Sequence, residues 1–258
     1  MNLDRAYENS AYIAGGSSYP AMWTAQAEAF RISHSALSRI DCPYGDGTRQ
    51  KYDLFLPEGP IEGMLIFVHG GYWKAFDKST WSHLAAGAVA RGWQVAMPGY
   101  TLCPEARITD IAREIADAVT TIVAQTKGPV VLTGHSAGGH LVARIVCGLL
   151  DKSVMHRIRR VVPISPVSDL KPLMQTSMND ILQIDLTEAN AESPCYLPAP
   201  SVPVTVWVGG AERPAFIEQA AKLARVWECD LEIAEGRNHF DVIEALDRNG
   251  KLLGFLLS

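Results

Sequence analysis

Short apolar runs recur along the chain at intervals of about thirty residues. GMLIFV (63–68), WQVAMPGY (93–100), PVVLTG (129–134), RRVVPIS (159–165), PVTVWVGG (203–210) and DLEIAEG (230–236) are each too short for a helix and are bounded by Gly or Pro. Runs of that kind suit strands buried on both faces. Between them lie stretches with apolar residues spaced three and four apart, at 79–91, 108–125, 136–150 and 213–228. These predict amphipathic helices. Thr109-Asp110 is read as a cap for the second, and Pro214 falls in the first turn of the last. Alternation of strand and helix predicts an α/β fold with a mostly parallel central sheet and helices on both faces. Upstream, ALSRIDCP and RQKYDLFLP alternate apolar and polar residues, which predicts an antiparallel pair at one sheet edge. There is no internal repeat, so the expectation is one domain over 1–258.

Two segments break the rhythm. Residues 1–36 hold Tyr7, Tyr12, Tyr19, Trp23 and Phe30 but no strand pattern, and residues 167–200 hold four prolines and little periodicity. Long irregular segments in a compact domain are often lids or binding loops, and both are read as lid elements here.

Composition narrows the partners. The 258 residues are 48% hydrophobic and 20% charged, with a net charge of −5. A mildly acidic chain without a Lys/Arg run argues against nucleic acid or an anionic membrane surface. The first residues, MNLDRAYENSAYIAGG, lack the basic and apolar regions of a signal peptide. No apolar run reaches the roughly 20 residues needed to cross a bilayer. Cys42, Cys103, Cys147, Cys195 and Cys229 are odd in number and scattered, without metal-ligand spacing. They read as reduced thiols, so the expectation is a cytoplasmic protein with no metal. A small-molecule substrate is the expected partner, and a homodimer is left open.

The chemistry starts at VVLTGHSAGGHLVARIV. Gly134-His135-Ser136-Ala137-Gly138 is GxSxG between a predicted strand and a predicted helix, the context in which a serine is raised on a strained turn. A bland alternative is a helix-capping serine. A serine hydroxyl needs a base, and in this architecture the partners follow in the order Ser, Asp/Glu, His. His140 lies one turn along the same helix and His156 in the basic stretch MHRIRR. His239, just after the last predicted strand, occupies the expected slot at the carboxyl edge of the sheet. The acid is expected after the preceding strand, where Glu212 lies. Its bland reading is a carboxylate favoured near a helix N-terminus. Asp169 is the runner-up, and Asp241 is too close in sequence to His239. The loop FVHGGYW (67–73) follows the third strand. By analogy with HGGG loops, the N–H groups of Gly71 and Tyr72, with that of Ala137, would hold an oxyanion, and His69 would brace the loop.

HGGYW (69–73), GYTLCPEAR (99–107), GHSAGGH (134–140), GGAERPAF (209–216) and NHFDVIEAL (238–246), in that order over essentially the whole chain, resemble the α/β-hydrolase esterase/lipase group. More closely they resemble the kynurenine formamidase (arylformamidase) family. The resemblance implies an α/β-hydrolase fold, a triad of Ser136, Glu212 and His239, and hydrolysis of N-formyl-L-kynurenine to formate and L-kynurenine without a cofactor. Glu212 departs from that family, where the acid is commonly Asp. An aryl leaving group would want aromatic walls, for which Tyr72, Trp73, Tyr19, Trp23 and Phe240 are the candidates. The alternative is a carboxylesterase or thioesterase acting on short-chain acyl esters with the same machinery. A binding module on an inactive hydrolase fold is a third reading, and intact Ser136, Glu212 and His239 argue against it.

Overall fold

A computed structural model of the chain describes residues 2–247 and 250–258. The strands are β1 (Ser38–Pro43), β2 (Lys51–Phe55), β3 (Gly63–Val68), β4 (Trp93–Pro98), β5 (Val130–His135), β6 (Ile158–Ile164), β7 (Thr205–Gly209) and β8 (Asp230–Ala234). The helices are α1 (Leu3–Tyr7), α2 (Tyr19–Ser33), α3 (Ala86–Val89), α4 (Ile108–Ala124), α5 (Ala137–Ile145), α6 (Lys152–Met155), α7 (Asn179–Leu182), α8 (Leu186–Glu192), α9 (Pro214–Trp227) and α10 (Lys251–Leu257). The strands form one sheet in the order β1-β2-β4-β3-β5-β6-β7-β8. β2 runs antiparallel to both β1 and β4, and the strands from β4 to β8 are mutually parallel. The expected edge pair is therefore β1 and β2.

In the inner strands β3, β4, β5 and β7 the apolar runs are continuous because the sheet is covered on both sides there. Along β3, Met64, Ile66 and Val68 pack with α4 and α5, whereas Leu65 and Phe67 pack with Trp23 of α2, with α3 and with α10. A strand turns successive side chains to opposite faces, so both sets must be apolar. In α4 the buried Ile108, Ile111, Ala112, Ile115, Ala118, Val119, Ile122 and Val123 follow the helical period.

Several expected features differ: the helix expected over 136–150 ends at Ile145, and β8, expected to be buried on both faces, is partly exposed at the sheet edge. The stretch expected as a helix over 79–91 is a 3-10 helix, Lys78–Ala85, followed by α3. The Asp77 side chain caps it by accepting from the Ser79 N–H at 3.0 Å. Thr109-Asp110 does not cap α4, whose cap is Arg107. Glu188 instead accepts from both the N–H and the hydroxyl of Thr109, at 3.0 and 3.1 Å. Residues 1–36 are not irregular: α2 spans fifteen residues. Its inward side chains Trp23 and Ala27 are few, so the periodicity is weak in the sequence.

The chain passes from β3 outward to β4 and then back across to β5 on the other side of β3. At such a reversal of strand order the loops at the carboxyl ends diverge and leave a crevice. Val68 is opposite Gly134 and His135 is opposite Ile164, so β3, β5 and β6 end level with one another. The loop after β3 and the turn after β5 are thus brought together by register.

Candidate active site

Ser136 sits between β5 and α5 with φ +56 and ψ −114, a left-handed backbone rarely adopted by a residue with a side chain. Such strain costs about 1–3 kcal/mol and persists only where surrounding contacts hold it. Here the Ser136 N–H donates to Ile164 O at 2.8 Å, and Ser136 O accepts from the His140 N–H at 2.9 Å. Gly138 is needed at the turn, since a Cβ there would lie 2.0 Å from Val68 O.

The loop after β3 passes close to this serine. A Cβ on Gly70 would lie 2.9 Å from His135 O and 3.1 Å from the Ser136 Cβ. Gly71 has φ +114, and a Cβ on it would meet Ala75 O at 2.4 Å. Tyr72 and Trp73 continue the reversal with φ +50 and +54. Gly71 O accepts from the N–H groups of Lys74 and Ala75, which closes the loop into a turn. The N–H groups of Gly71 and Tyr72 donate to no acceptor among the described residues. Ala137 opens α5, where the first N–H groups of a helix have no intrahelical partner. His69 is buried and its ring lies against Tyr100 with centroids 4.4 Å apart. Its Nδ1 donates to Gly70 O at 2.7 Å, and burial pulls its pKa down to about 4. A neutral ring that ties down its own loop is a brace.

His239 follows β8 and is buried. Its Nδ1 lies 2.6 Å from Glu212 Oε2. The ring is flanked by Phe216 at 4.1 Å and His135 at 4.6 Å between centroids. Burial and the neighbouring His239 keep His135 neutral, with its pKa well below the usual histidine value. Glu212 has no exposed side-chain surface. Its Oε1 accepts from the Gly209 N–H at 2.7 Å and from the Ser165 hydroxyl at 2.5 Å. Asp169 is engaged elsewhere, with Lys222 at 2.5 Å and Tyr196 at 2.8 Å. Asp241 accepts from the Asn238 N–H at 2.7 Å, His156 is exposed, and His140 bonds Glu192 O at 2.7 Å.

Ser136 and His239 line one cavity of about 330 Å³, together with Gly70, Gly71 and Tyr72. Trp23, Phe76, Trp81 and Phe240 give it an aromatic wall. Two of the aromatic residues expected to contact substrate are not on it. Trp73 is fully buried in the core, edge-on to His140 at 5.0 Å. Tyr19 stands behind the wall, packed on Trp23 and Phe240 at 5.4 and 5.3 Å. Residues 1–36 contribute Asp4, Tyr7, Glu8 and Asn9 to the cavity, and 167–200 contribute Ser177 and Met178. The two segments are joined where Asp4 Oδ1 accepts from the N–H and hydroxyl of Ser177, at 2.6 and 2.8 Å. The Tyr72 hydroxyl donates to Tyr7 O at 2.6 Å, linking the first segment to the glycine loop.

Sequence reasoning missed Ser165, Phe76, Trp81 and Met178. The only signal at Ser165 was a hydroxyl ending an apolar strand. Among the described residues no cluster of His, Cys, Asp and Glu has a metal-binding arrangement, and no helix is long and apolar enough to cross a membrane.

Residues 65–226 match the family model of the alpha/beta hydrolase fold. Kynurenine formamidase of Danio rerio is 28% identical over 84% of this chain and 80% of its own length. Kynurenine formamidase of Drosophila melanogaster is 30% identical over 78% of this chain and 74% of its own. A crystal structure from Silicibacter sp. TM1040, of a protein provisionally described as a thioesterase, is 53% identical, covers all of both chains and superposes with a TM-score of 0.98.

Proposed function

The chain belongs to the alpha/beta hydrolase fold family, and from that premise we propose that it is a serine hydrolase releasing a small acyl group from an ester or thioester. The observation that carries the proposal is the 2.6 Å contact between Glu212 and His239 Nδ1, with His239 and the strained Ser136 on one cavity. Ser136 Oγ attacks the acyl carbon while His239 Nε2 takes its proton. Glu212 holds the ring in the tautomer with Nδ1 protonated and stabilises the imidazolium. The negative oxygen is held by the N–H groups of Gly71, Tyr72 and Ala137, each worth about 3 kcal/mol of the barrier. His239 then returns the proton to the departing alkoxide or thiolate. Water, deprotonated by the same ring, attacks the acyl-enzyme, and the carboxylic acid leaves with Ser136 restored. Residues 1–36 and 167–200 serve as a lid over the cavity within a single domain.

The Silicibacter protein, similar over its whole length, supports the ester or thioester reading. The cavity bears Lys74 against Asp4 and Glu8, so a thioester carrying several phosphates would meet more negative than positive charge. Small, uncharged acyl donors fit better. A second reading, hydrolysis of an aryl formamide, is favoured by the aromatic wall and by the name that the Danio rerio and Drosophila melanogaster relatives carry. The attack is the same, but His239 protonates an aromatic amine and the acid released is formate.

Turnover of p-nitrophenyl acetate and butyrate, an acetyl thioester and N-formylkynurenine decides between them, with Ser136→Ala as control. Higher kcat/KM on the esters or thioester is expected. A formamide preference of tenfold or more would transfer the assignment to the second reading. No turnover by a folded protein would remove the hydrolase reading itself.

A further inference from the structure

The turn after β6 carries a residue whose backbone and side chain both need explaining. Ser165 has φ +48, a conformation glycine adopts freely and serine does not. It has no exposed surface. A serine kept in a strained, sealed position must use its hydroxyl, and that hydroxyl donates to Glu212 Oε1 at 2.5 Å. The carboxylate is thereby held at three points: Ser165 and the Gly209 N–H on Oε1, and His239 on Oε2. The same turn fixes the nucleophile, because Ile164 O accepts the Ser136 N–H at 2.8 Å. It is anchored in turn by the Ser165 N–H on Trp207 O at 2.7 Å, two residues before Gly209. Ile164-Ser165 therefore joins the end of β5 to the end of β7, with the serine hydroxyl as its contact with the acid.

We propose that Ser165 is a positioning residue that sets the orientation of the Glu212 carboxylate toward His239. The proposal rests on the reading of Ser136, His239 and Glu212 as the reacting group. It also accounts for glutamate at this position. The Glu212 side chain must span from β7 to His239 while one oxygen reaches across to the turn after β6, and an aspartate is one methylene too short for both.

A hydrogen bond to a charged group, lost from the transition state, corresponds to about a 10- to 100-fold fall in rate. That fall is expected in kcat for Ser165→Ala, with KM unchanged. Ser165→Gly separates hydroxyl from backbone, since it relieves the left-handed strain while deleting the same donor. It is expected to fold at least as well as the parent and to lose activity like Ser165→Ala. Each variant is also made in a Glu212→Ala background, where the hydroxyl has nothing to orient and its removal costs nothing further. Wild-type kcat in Ser165→Gly, or a full additional loss in the Glu212→Ala background, would overturn the assignment. Full activity in Ser136→Ala or Glu212→Ala would instead overturn the reading beneath it.

Discussion

Glu212 shows how a single side chain is specified by its surroundings. Glu212→Gln keeps the volume but replaces one acceptor oxygen by a donor, so either His239 Nδ1 or the pair Ser165 and Gly209 loses its acceptor. The expected fall in kcat is about 10⁴-fold, the size seen when a triad histidine is left in the wrong tautomer. Steady-state kinetics with an unchanged melting curve would check it. Gly70 is a second case. An added Cβ lies 2.9 Å from His135 O, so in Gly70→Ala the loop must shift away from Ser136. A displacement near 1 Å at a reacting centre costs about 10²-fold, so kcat on a simple ester should drop by that order while KM moves little. Gly70, Gly71, Ser136 and His239 were readable because their chemistry is tied to a local context of strand, turn and helix. Ser165 was not, because its partner lies 47 positions away. Trp73 could be read equally as a pocket wall or as a core anchor, and the structure places it in the core, which residue spacing alone does not reveal.

At the scale of elements, the glycine loop is held from three sides: by the end of β5, by the buried His69–Tyr100 stack and by the segment before α2. Tyr72→Phe removes the hydroxyl bonded to Tyr7 O and should cost about 1 kcal/mol. Because that bond ties the N-terminal segment to the loop, amide exchange should rise at residues 3–12 while the β3–β6 core stays protected. Equal protection in parent and variant would show that the strap is held by other contacts, such as Asp4 on Ser177. Long elements with a strong period were legible, as α4 and α9 are, within a residue or two. The 3-10 helix at Lys78–Ala85 was not distinguished from an α-helix, since both place side chains three apart over a few turns. The cap of α4 was misplaced because Thr109 bonds a distant glutamate in preference to its own helix.

The whole molecule stores neutral histidines. Burial holds His69 and His83 at about 4, His140 at about 3 and His135 well below the usual value. The unfolded chain takes up their protons near pH 6.5, before the folded state does. Their contribution to stability is therefore complete above 6.5 and is lost as pH falls toward 4. Denaturant unfolding at pH 7, 6 and 5 should show stability decreasing stepwise, and a flat profile would contradict neutral burial. Lys78 is the cationic counterpart, buried beside Asp53 and Asp41 at 2.8 Å. Lys78→Met leaves the fully buried Asp53 without its cation and should destabilise by about 3–5 kcal/mol.

The sequence alone determined the class of fold, the antiparallel edge, most strand and helix positions and the serine and histidine proposed to react, while leaving the acid between Glu212 and Asp169 until the structure set Glu212 against His239. These follow from periodicity and from turn chemistry, which act over a few residues. Only the tertiary structure decided that β3, β5 and β6 end level, that Ser165 reaches Glu212, that Trp73 faces the core and that residues 1–36 and 167–200 meet over the cavity. Those facts depend on sheet register and on contacts between residues far apart in the chain, which no local pattern encodes.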